Sequence, residues 1–327
     1  MSLDGKLLAR AKTALEDKRR RHDELYQRRL EAVYARAPRV RELDDEIRST
    51  MTDLVGIALN AAGGKLEDIR SRNLGLQEQR RSEIRSAGFP DDYLDDDYMC
   101  PECHDSGFTH TGLCRCLMQL YKEAQKESLS SLLKLGNETF DSFDLSYYAD
   151  TLSPDTTVSI RRSMEIILEI CIEYARNFGK KSMNLFFIGE PGLGKTFLSA
   201  CIARVVAENG YSVVYDMAAS IFGKFEEAKF TRMDDPEETR AEIRRYLECD
   251  LLIVDDLGAE MTTAFTTSAL YDIVNTRLIT NRKTIVSSNL TIGEMHRRYS
   301  GQIMSRLEGE YQVLTFRGDD IRKKRNS

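Results

Sequence analysis

The sequence predicts an α/β fold: a P-loop αβα sandwich on a parallel sheet, preceded by a charged, coiled-coil-like helical region and a small cysteine-bearing module. Three observations carry this. From about residue 140 onward, apolar strand-like runs alternate with helical patterns, the alternation that builds a sheet covered on both faces. One junction, Asn184-Leu-Phe-Phe-Ile-Gly-Glu-Pro-Gly-Leu-Gly-Lys-Thr196, passes from an apolar run through Gly189-x-x-x-x-Gly194-Lys195-Thr196 into Phe197-Leu-Ser-Ala-Cys-Ile-Ala-Arg204. That is a P-loop pattern in its strand–loop–helix setting. Before it, residues 5 to about 85 read as charged helices, and four cysteines lie between 100 and 116.

The P-loop pattern implies a bound nucleoside triphosphate. Backbone N–H groups of a glycine-rich turn at a helix N-terminus wrap phosphate oxygens, and the helix dipole adds positive potential. The binding stretch is Gly189, Glu190, Pro191, Gly192, Leu193, Gly194, Lys195, Thr196 and Phe197. Lys195 is placed to reach the β/γ-phosphates and Thr196 to ligate Mg²⁺ through its hydroxyl. Further on, Asp250-Leu-Leu-Ile-Val-Asp-Asp256 is a continuous apolar run ending in two carboxylates. Such runs are buried central strands of parallel sheets, and their C-terminal ends open onto the ligand crevice. Asp255 then stands where a Walker B aspartate holds Mg²⁺. Asp256 follows at the position of the base that orients an attacking water. It is one methylene shorter than the more usual Glu, and Glu260 is the alternative base.

Composition bounds the rest. With 327 residues, 41% hydrophobic and 31% charged, the chain reads as a soluble globular protein with room for two domains. No apolar run has the length of a membrane span, and Met-Ser-Leu-Asp-Gly-Lys at the start lacks a signal-peptide core, so a cytoplasmic protein without membrane contact is expected. A net charge of −6 excludes a uniformly basic nucleic-acid coat; any DNA contact must come from a local patch. Local basic clusters lie at Lys18–Arg21 and Arg322–Arg325.

Of seven cysteines, Cys100, Cys103, Cys114 and Cys116 form C-x₂-C-x₁₀-C-x-C, with Gly107 and Gly112 in the loop between the pairs. Two short-spaced pairs can close a tetrahedral Zn²⁺ site, a staple for a segment with little core of its own. His104 or His110 could replace one thiolate, and disulfides are the alternative chemistry in an oxidising compartment. Cys171, Cys201 and Cys249 lie in apolar surroundings and read as small buried hydrophobes.

Taken in order, residues 1–90 form the helical region. Tyr26, Leu30 and Val33 keep a 3.6-residue period, and after Pro38 so do Val40, Leu43, Ile47, Met51, Leu54 and Ala58. Helices of this kind either fold back on each other or pack on another protein. Residues 91–135 hold the zinc module and a linker helix, about 117–134. Residues 136–327 form the ATPase domain, with helices expected at 157–178, 195–209, 218–230, 240–247, 266–281 and 291–308. Its strands are expected at 183–188, 212–216, 250–256, 284–288 and 311–316, with Met233–Thr239 as a surface loop.

Gly189–Thr196, Tyr215-Asp216, Leu251-Leu-Ile-Val-Asp-Asp-Leu-Gly-Ala-Glu260, Thr284-Ile-Val-Ser-Ser-Asn289 and Gly301-Gln-Ile-Met-Ser-Arg306 together resemble the AAA+ helicase loaders of the DnaC/DnaI type. IstB-like ATPases are near cousins. The similarity covers about residues 140–327, and the cysteine segment with its charged helices resembles the N-terminal part of zinc-containing loaders. The resemblance implies that Lys195 and Thr196 bind phosphate and Mg²⁺, that Asp255 is Walker B, that Asn289 is sensor 1 and that Arg306 is an arginine finger acting on a neighbour's ATP. It further implies ATP, Mg²⁺ and Zn²⁺ as cofactors, and a replicative helicase and single-stranded DNA as partners. Assembly into a homo-oligomer on ATP or DNA also follows from it. DNA contacts would come from the helix after the second strand, where Lys224, Lys229 and Phe230 lie, with Phe222 and Phe225 in the core. The chain departs from the pattern after strand 311–316, where too few residues remain for a helical lid; Arg317 and Arg322 are the candidates for sensor 2. An IstB-type transposition helper shares the ATPase core but usually lacks the cysteine module. A P-loop small-molecule kinase would lack Asn289 and Arg306.

Overall fold

The computed structural model describes residues 3–58, 66–95, 98–133, 138–152, 157–230 and 236–325. Two compact units are present, one of Lys12–Leu117 and one of Met1–Ala11 with Met118–Ser327.

The first unit contains most of helix α1 (Gly5–Arg36), then α2 (Pro38–Ala58) and α3 (Leu66–Ser86). The break between α1 and α2 falls at Ala37, and Pro38 opens α2, the position where a missing N–H costs nothing. Helices α2 and α3 form an antiparallel pair. Asn73 donates to Thr50, and Arg80 pairs with Asp44, so partners run in opposite directions along the two helices. Tyr34 of α1 donates to the same Asp44 carboxylate at 2.8 Å. Val33, Ala37, Val40, Ile84 and Leu94 fill the small core where the helix ends meet. Of the periodic series, Val40 and Leu43 are buried and Ile47 is half-buried. The side chains of Met51 and Leu54 lie outside the described residues.

The second unit is a three-layer α/β/α domain. Its helix α4 (Arg115–Leu133) enters from the cysteine segment, followed by α5 (Ile160–Arg176) and strand β3 (Asn184–Ile188). Two-residue strands β1 (Phe108–Thr109) and β2 (Gly112–Leu113) precede them in the first unit. After β3 come α6 (Lys195–Glu208), β4 (Val213–Met217), α7 (Ala218–Phe230), α8 (Pro236–Glu248) and β5 (Leu251–Leu257). The chain continues through α9 (Ala264–Ile279), β6 (Lys283–Ser288), α10 (Ile292–Arg298), α11 (Gly301–Gly309), β7 (Tyr311–Thr315) and α12 (Ile321–Arg325). All five strands of the sheet are parallel, in the order β4-β5-β6-β3-β7. Strand β6 therefore lies between the P-loop strand and the Asp255 strand.

Alternation sorts the two faces. Leu185 and Phe187 of β3, Ile253 of β5 and Ile285 of β6 pack with α5 and α6. Phe186, Ile188, Leu252, Val254 and Val286 pack with α7, α9 and α11. Strand β3 is buried on both sides at every residue, which is why it reads as an unbroken apolar run. Among the described residues no helix is long and apolar enough to cross a membrane.

Two expectations need correction. The expected surface loop Met233–Thr239 is helical from Pro236, where α8 begins, four residues before the expected start; proline at the first helical position and two glutamates after it are N-terminal signals that outweigh the segment's polarity. Residues 233–235 lie outside the described residues. The single helix expected over 291–308 is two helices, parted at Tyr299 and Ser300, both extended. Tyr299 leaves the helical path to bury its ring, only 4% exposed, with its hydroxyl on the Glu260 carboxylate.

Arg277 of α9 is fully buried. Its guanidinium donates to Thr284 Oγ1 at 2.9 Å, to the Tyr246 and Leu247 carbonyls at 2.8 and 3.2 Å, and to the Lys283 carbonyl at 2.6 Å. Tyr246 and Leu247 lie in the last turn of α8, the negative end of its dipole, so the cation caps that helix while tying α9 to β6. Replacing Arg277 by Met should destabilise the domain by about 3–5 kcal/mol, since several buried acceptors lose their donor at once. Arg277→Lys should recover little, because one ammonium cannot span the fork. Urea unfolding of the variants is the check; a loss below about 1 kcal/mol for Arg277→Met would remove the arginine from this structural role.

Candidate functional site: a nucleotide-binding loop and a four-cysteine cluster

The P-loop takes its shape from its glycines. Gly192 and Gly194 sit at φ +79° and +89°, the left-handed region that L side chains rarely adopt. A Cβ on Gly192 would strike the Asp320 carboxylate, and one on Gly194 would crowd the Phe143 ring and the Tyr148 hydroxyl. The loop is thus held from two sides. Tyr148, itself buried, donates to the Leu193 carbonyl at 2.9 Å. The Ile321 N–H donates to the Gly192 carbonyl at 3.1 Å. Tyr148 and Asp320 were not singled out by the sequence, because no local pattern marks a residue that packs on a loop from so far along the chain.

Lys195, the first residue of α6, is 6% exposed and donates to the Gly189 and Glu190 carbonyls at 2.6 and 2.7 Å. An entering phosphate oxygen would take over those donors. Burial pulls its ammonium down to about 8, with Asp255 and Asp256 opposing. Thr196 donates to Asp255 at 3.0 Å, so the two expected Mg²⁺ ligands already touch.

Asp255 and Asp256 occupy a bulge of β5, whose pairing with β6 shifts register between Val254 and Leu257. Asp256 is at φ +56° and is only partly buried. Its backbone N–H donates to Ser287 at 3.0 Å. Asn289, just past the end of β6, donates its side-chain amide to the Asp256 carboxylate. Burial, and then the neighbouring Asp255, push the Asp256 carboxyl above its ordinary range. Asp255, 6% exposed, accepts three hydroxyls: Thr196 and Tyr215 on one oxygen, Ser287 on the other. The phenol of Tyr215 is pushed far up by burial and by that carboxylate, so it stays a donor. Lys195, Thr196, Asp255, Asp256 and Asn289 are therefore one site.

Glu260 is not part of it as a free base. It is buried, accepts from the Gly258 N–H at 2.8 Å and from the Tyr299 hydroxyl, and its backbone carbonyl takes the Arg298 guanidinium. Arg306 lies on α11, where its guanidinium is 4.7 Å from the centre of the Tyr271 ring and donates to Asn275 at 3.0 and 3.2 Å. Lys224 is balanced inside the chain by Glu242 at 3.0 Å, Tyr246 at 2.7 Å and Asp216 at 3.4 Å, which argues against the phosphate-backbone contact the resemblance implied for it. Lys229 stands over the Phe265 ring, and Phe222 and Phe225 are core as expected. The Phe230 side chain lies outside the described residues.

The four cysteines of the other unit converge. Their sulfur atoms all lie within 4.8 Å of one another, with Cys100 to Cys114 at 3.6 Å and Cys103 to Cys116 at 3.4 Å. A tetrahedral Zn–S site with bonds near 2.3 Å needs sulfurs about 3.8 Å apart. The set fits that geometry and is far from a bonded S–S distance. Neither His104, whose ring lies tilted against that of Tyr98, nor His110 joins the cluster. Backbone geometry sets the turn: His104 and Asp105 are at φ +49° and +60°, and the Asp105 carboxylate accepts the Met99 and Cys100 N–H groups at 3.1 and 2.7 Å. The Gly107 N–H points at the Cys103 sulfur at 3.3 Å.

Comparison with known proteins agrees with this geometry. Residues 172–327 match the family model described as IstB-like ATP binding protein. The chain is 29% identical over 153 residues to the replicative helicase loader DnaC of Buchnera aphidicola subsp. Baizongia pistaciae, covering 46% of this chain and 61% of that protein. It is also 29% identical over 125 residues to a putative insertion-sequence ATP-binding protein of Sinorhizobium fredii, 38% of this chain and 40% of the relative. The chain thus spans less than two thirds of the length of these curated relatives. Among solved structures, a crystal structure of the DnaC helicase loader aligns over 56% of this chain and 98% of its own at 18% identity and a TM-score of 0.45.

Two outcomes are expected. ATP affinity should fall as pH rises through about 8, by up to about tenfold per pH unit, because phosphate binding needs the charged Lys195 and its proton is lost there. The sign for folding is opposite: an unfolded lysine keeps its proton to about 10.5, so the unliganded domain gains stability between the two values. A nucleotide titration across this range, with Lys195→Met as the pH-independent reference, measures the first. For the cluster, elemental analysis should find about one zinc per chain, lost in Cys100→Ser with Cys103→Ser. A metal-free wild type with unchanged helical content would contradict it.

Proposed function

We propose that this chain is an ATP-dependent loader of a replicative DNA helicase. In this reading the IstB-like domain binds ATP with Mg²⁺ and single-stranded DNA, and assembles with further copies of itself. The unit Lys12–Leu117 holds Zn²⁺ on Cys100, Cys103, Cys114 and Cys116 and contributes the surface that grips the helicase. The observation that supports the reading is the combination in one chain of a glycine-rich loop beside Asp255, Asp256 and Asn289 with a separate helical unit carrying a four-sulfur cluster. The ATPase core alone is shared with transposition helpers.

The loop from Gly189 through Phe197, with Lys195, would hold the triphosphate, and Thr196 and Asp255 would hold Mg²⁺, which neutralises charge developing on the phosphates. Asp256 is the base that orients water. Its carboxyl is held by Asn289, so a change at the γ-phosphate reaches both residues together. The short Asp256 suits slow hydrolysis, with ATP acting as a switch more than as fuel. Arg306 completes a neighbour's site in this reading. Tyr271 and Asn275 supply its partners on α9, and both would remain behind it as it reaches outward.

A second reading, an IS21-type transposition ATPase, is favoured by the family description and by insertion-sequence relatives such as that of Sinorhizobium fredii. Full-length tagged protein passed over host extract with ATP decides between them. The loader reading expects the replicative helicase to co-elute, and to be lost with Cys100→Ser plus Cys103→Ser while nucleotide binding remains. Co-elution of a transposase instead would establish the second reading. Within either assembly, Arg306→Ala should lower hydrolysis by roughly 10³–10⁵. Mixing it with Lys195→Ala subunits should restore part of the rate, since an intact Arg306 then faces an intact P-loop. Co-assembled mixtures as inactive as either variant alone would exclude a role in trans.

A further inference from the structure

Three hydroxyl groups converge on the Asp255 carboxylate, and only that of Thr196 belongs to the P-loop pattern. Tyr215 stands on β4 and Ser287 on β6, the two strands that flank β5. Strand register explains how they meet there. Tyr215 pairs with Ile253, two residues before Asp255, so its ring lies on the same face and its hydroxyl reaches forward to the carboxylate. Ser287 comes from the other side and also accepts the Asp256 N–H at 3.0 Å, so one hydroxyl fixes both aspartates across the bulge. Both residues are buried, Tyr215 at 5% and Ser287 at 1% exposure. No cation contacts Asp255 among the hydrogen-bonding partners described; its fixed neighbours are neutral donors.

We propose that Tyr215 and Ser287 are positioning residues for Asp255, holding its carboxylate at a fixed angle toward the Mg²⁺ of the bound nucleotide. The inference rests on the ATP·Mg²⁺ reading above. A Thr196 hydroxyl that lent a lone pair to the metal would still have its proton for Asp255. Tyr215 and Ser287 come from opposite flanks, so they restrain both the rotation of the carboxylate about its Cβ–Cγ bond and its tilt. Outer partners of this kind orient a ligand without touching the metal, and their loss costs about 10–100-fold in metal affinity. Geometry also separates the pair in effect. Tyr215 bears on Asp255 and on the neighbouring Thr196 hydroxyl, both on the metal side, whereas Ser287 also bears on the Asp256 backbone, so its removal should disturb the base as well as the metal.

The experiment is a Mg²⁺ titration of nucleotide binding by full-length protein, using a fluorescent ATP analogue with the metal-free affinity in chelator as reference. In the wild type Mg²⁺ should tighten binding. In Tyr215→Phe, which keeps the ring and removes only the hydroxyl, half-saturating Mg²⁺ should rise about tenfold, and in Tyr215→Phe with Ser287→Ala up to about 100-fold. Mn²⁺, which carboxylate sites bind more tightly, should recover most of the loss. A merely structural role would instead lower the melting temperature and weaken metal-free binding, with the Mg²⁺ midpoint unmoved. Superimposable Mg²⁺ curves for Tyr215→Phe and wild type would overturn the inference while leaving the ATP·Mg²⁺ reading intact. A wild type whose binding ignores Mg²⁺, or a Lys195→Ala variant that binds as tightly as wild type, would overturn both.

Discussion

The Asp255 carboxylate joins the elements on which the nucleotide site depends. It accepts from Thr196 at the start of α6, from Tyr215 on β4 and from Ser287 on β6. The Ser287 contact exists because β6 is inserted between β5 and β3, which separates the P-loop strand from the aspartate strand by one strand's width. The same insertion puts Asn289 beside Asp256. Strand order is therefore a functional constraint here. A sheet with β3 directly beside β5 would move Ser287 and Asn289 away from both aspartates.

The P-loop, the Asp255 strand and the alternation of elements were legible because each is a local pattern with a steep physical cost for alternatives. Glycines at φ +79° and +89° admit few substitutes, and doubly buried strands must be apolar throughout. The four cysteines were legible for the same reason: thiols spaced two and one apart in a loop have few other uses. What stayed hidden is non-local. Tyr215 and Ser287 lie in stretches that carry the resemblance, yet no local pattern gives either side chain a role; register across three strands brings them to one carboxylate. Arg277 carries no local signal of burial, yet it is fully buried against carbonyls from α8 and β6. The break at Tyr299 was missed because apolar periodicity continues through Ile303 and Leu307 on the far side of it. Periodicity reports which face is buried and is blind to a two-residue change of direction.

The unit Lys12–Leu117 obeys a different economy. Among its described residues one apolar cluster is small, gathering Val33, Ala37, Val40, Ile84 and Leu94, and α2 and α3 are also joined by polar pairs, Thr50 with Asn73 and Asp44 with Arg80. Pairs of this kind specify register more than they stabilise, because desolvation offsets most of their attraction. A cluster this small is helped by another source of order, and the gathered sulfurs are suited to supply it through a metal. The consecutive left-handed residues His104 and Asp105 fit this account. Their backbone cost is met locally by the Asp105 carboxylate, which accepts the N–H groups of Met99 and Cys100 and so aims the first sulfur inward.

The break between α10 and α11 has a consequence for Arg306. Helix α11 starts at Gly301, directly after Tyr299 inserts beside Glu260, and Glu260 also holds the Gly258 N–H just beyond the two aspartates. The direction of α11 is thus set at its first turn by the loop that follows Asp255 and Asp256. At its last turn it is set by Arg306 itself, gripped by Tyr271 and Asn275 of α9. A continuous helix over 291–308 would have had neither anchor. Two anchors fix an arginine within a narrow range of positions, which suits the role proposed for Arg306 at another copy's phosphate, since a misplacement of about 1 Å costs on the order of 100-fold in rate. The deviation from helical regularity that the sequence pattern concealed is what ties the orientation of Arg306 to the aspartates of its own chain.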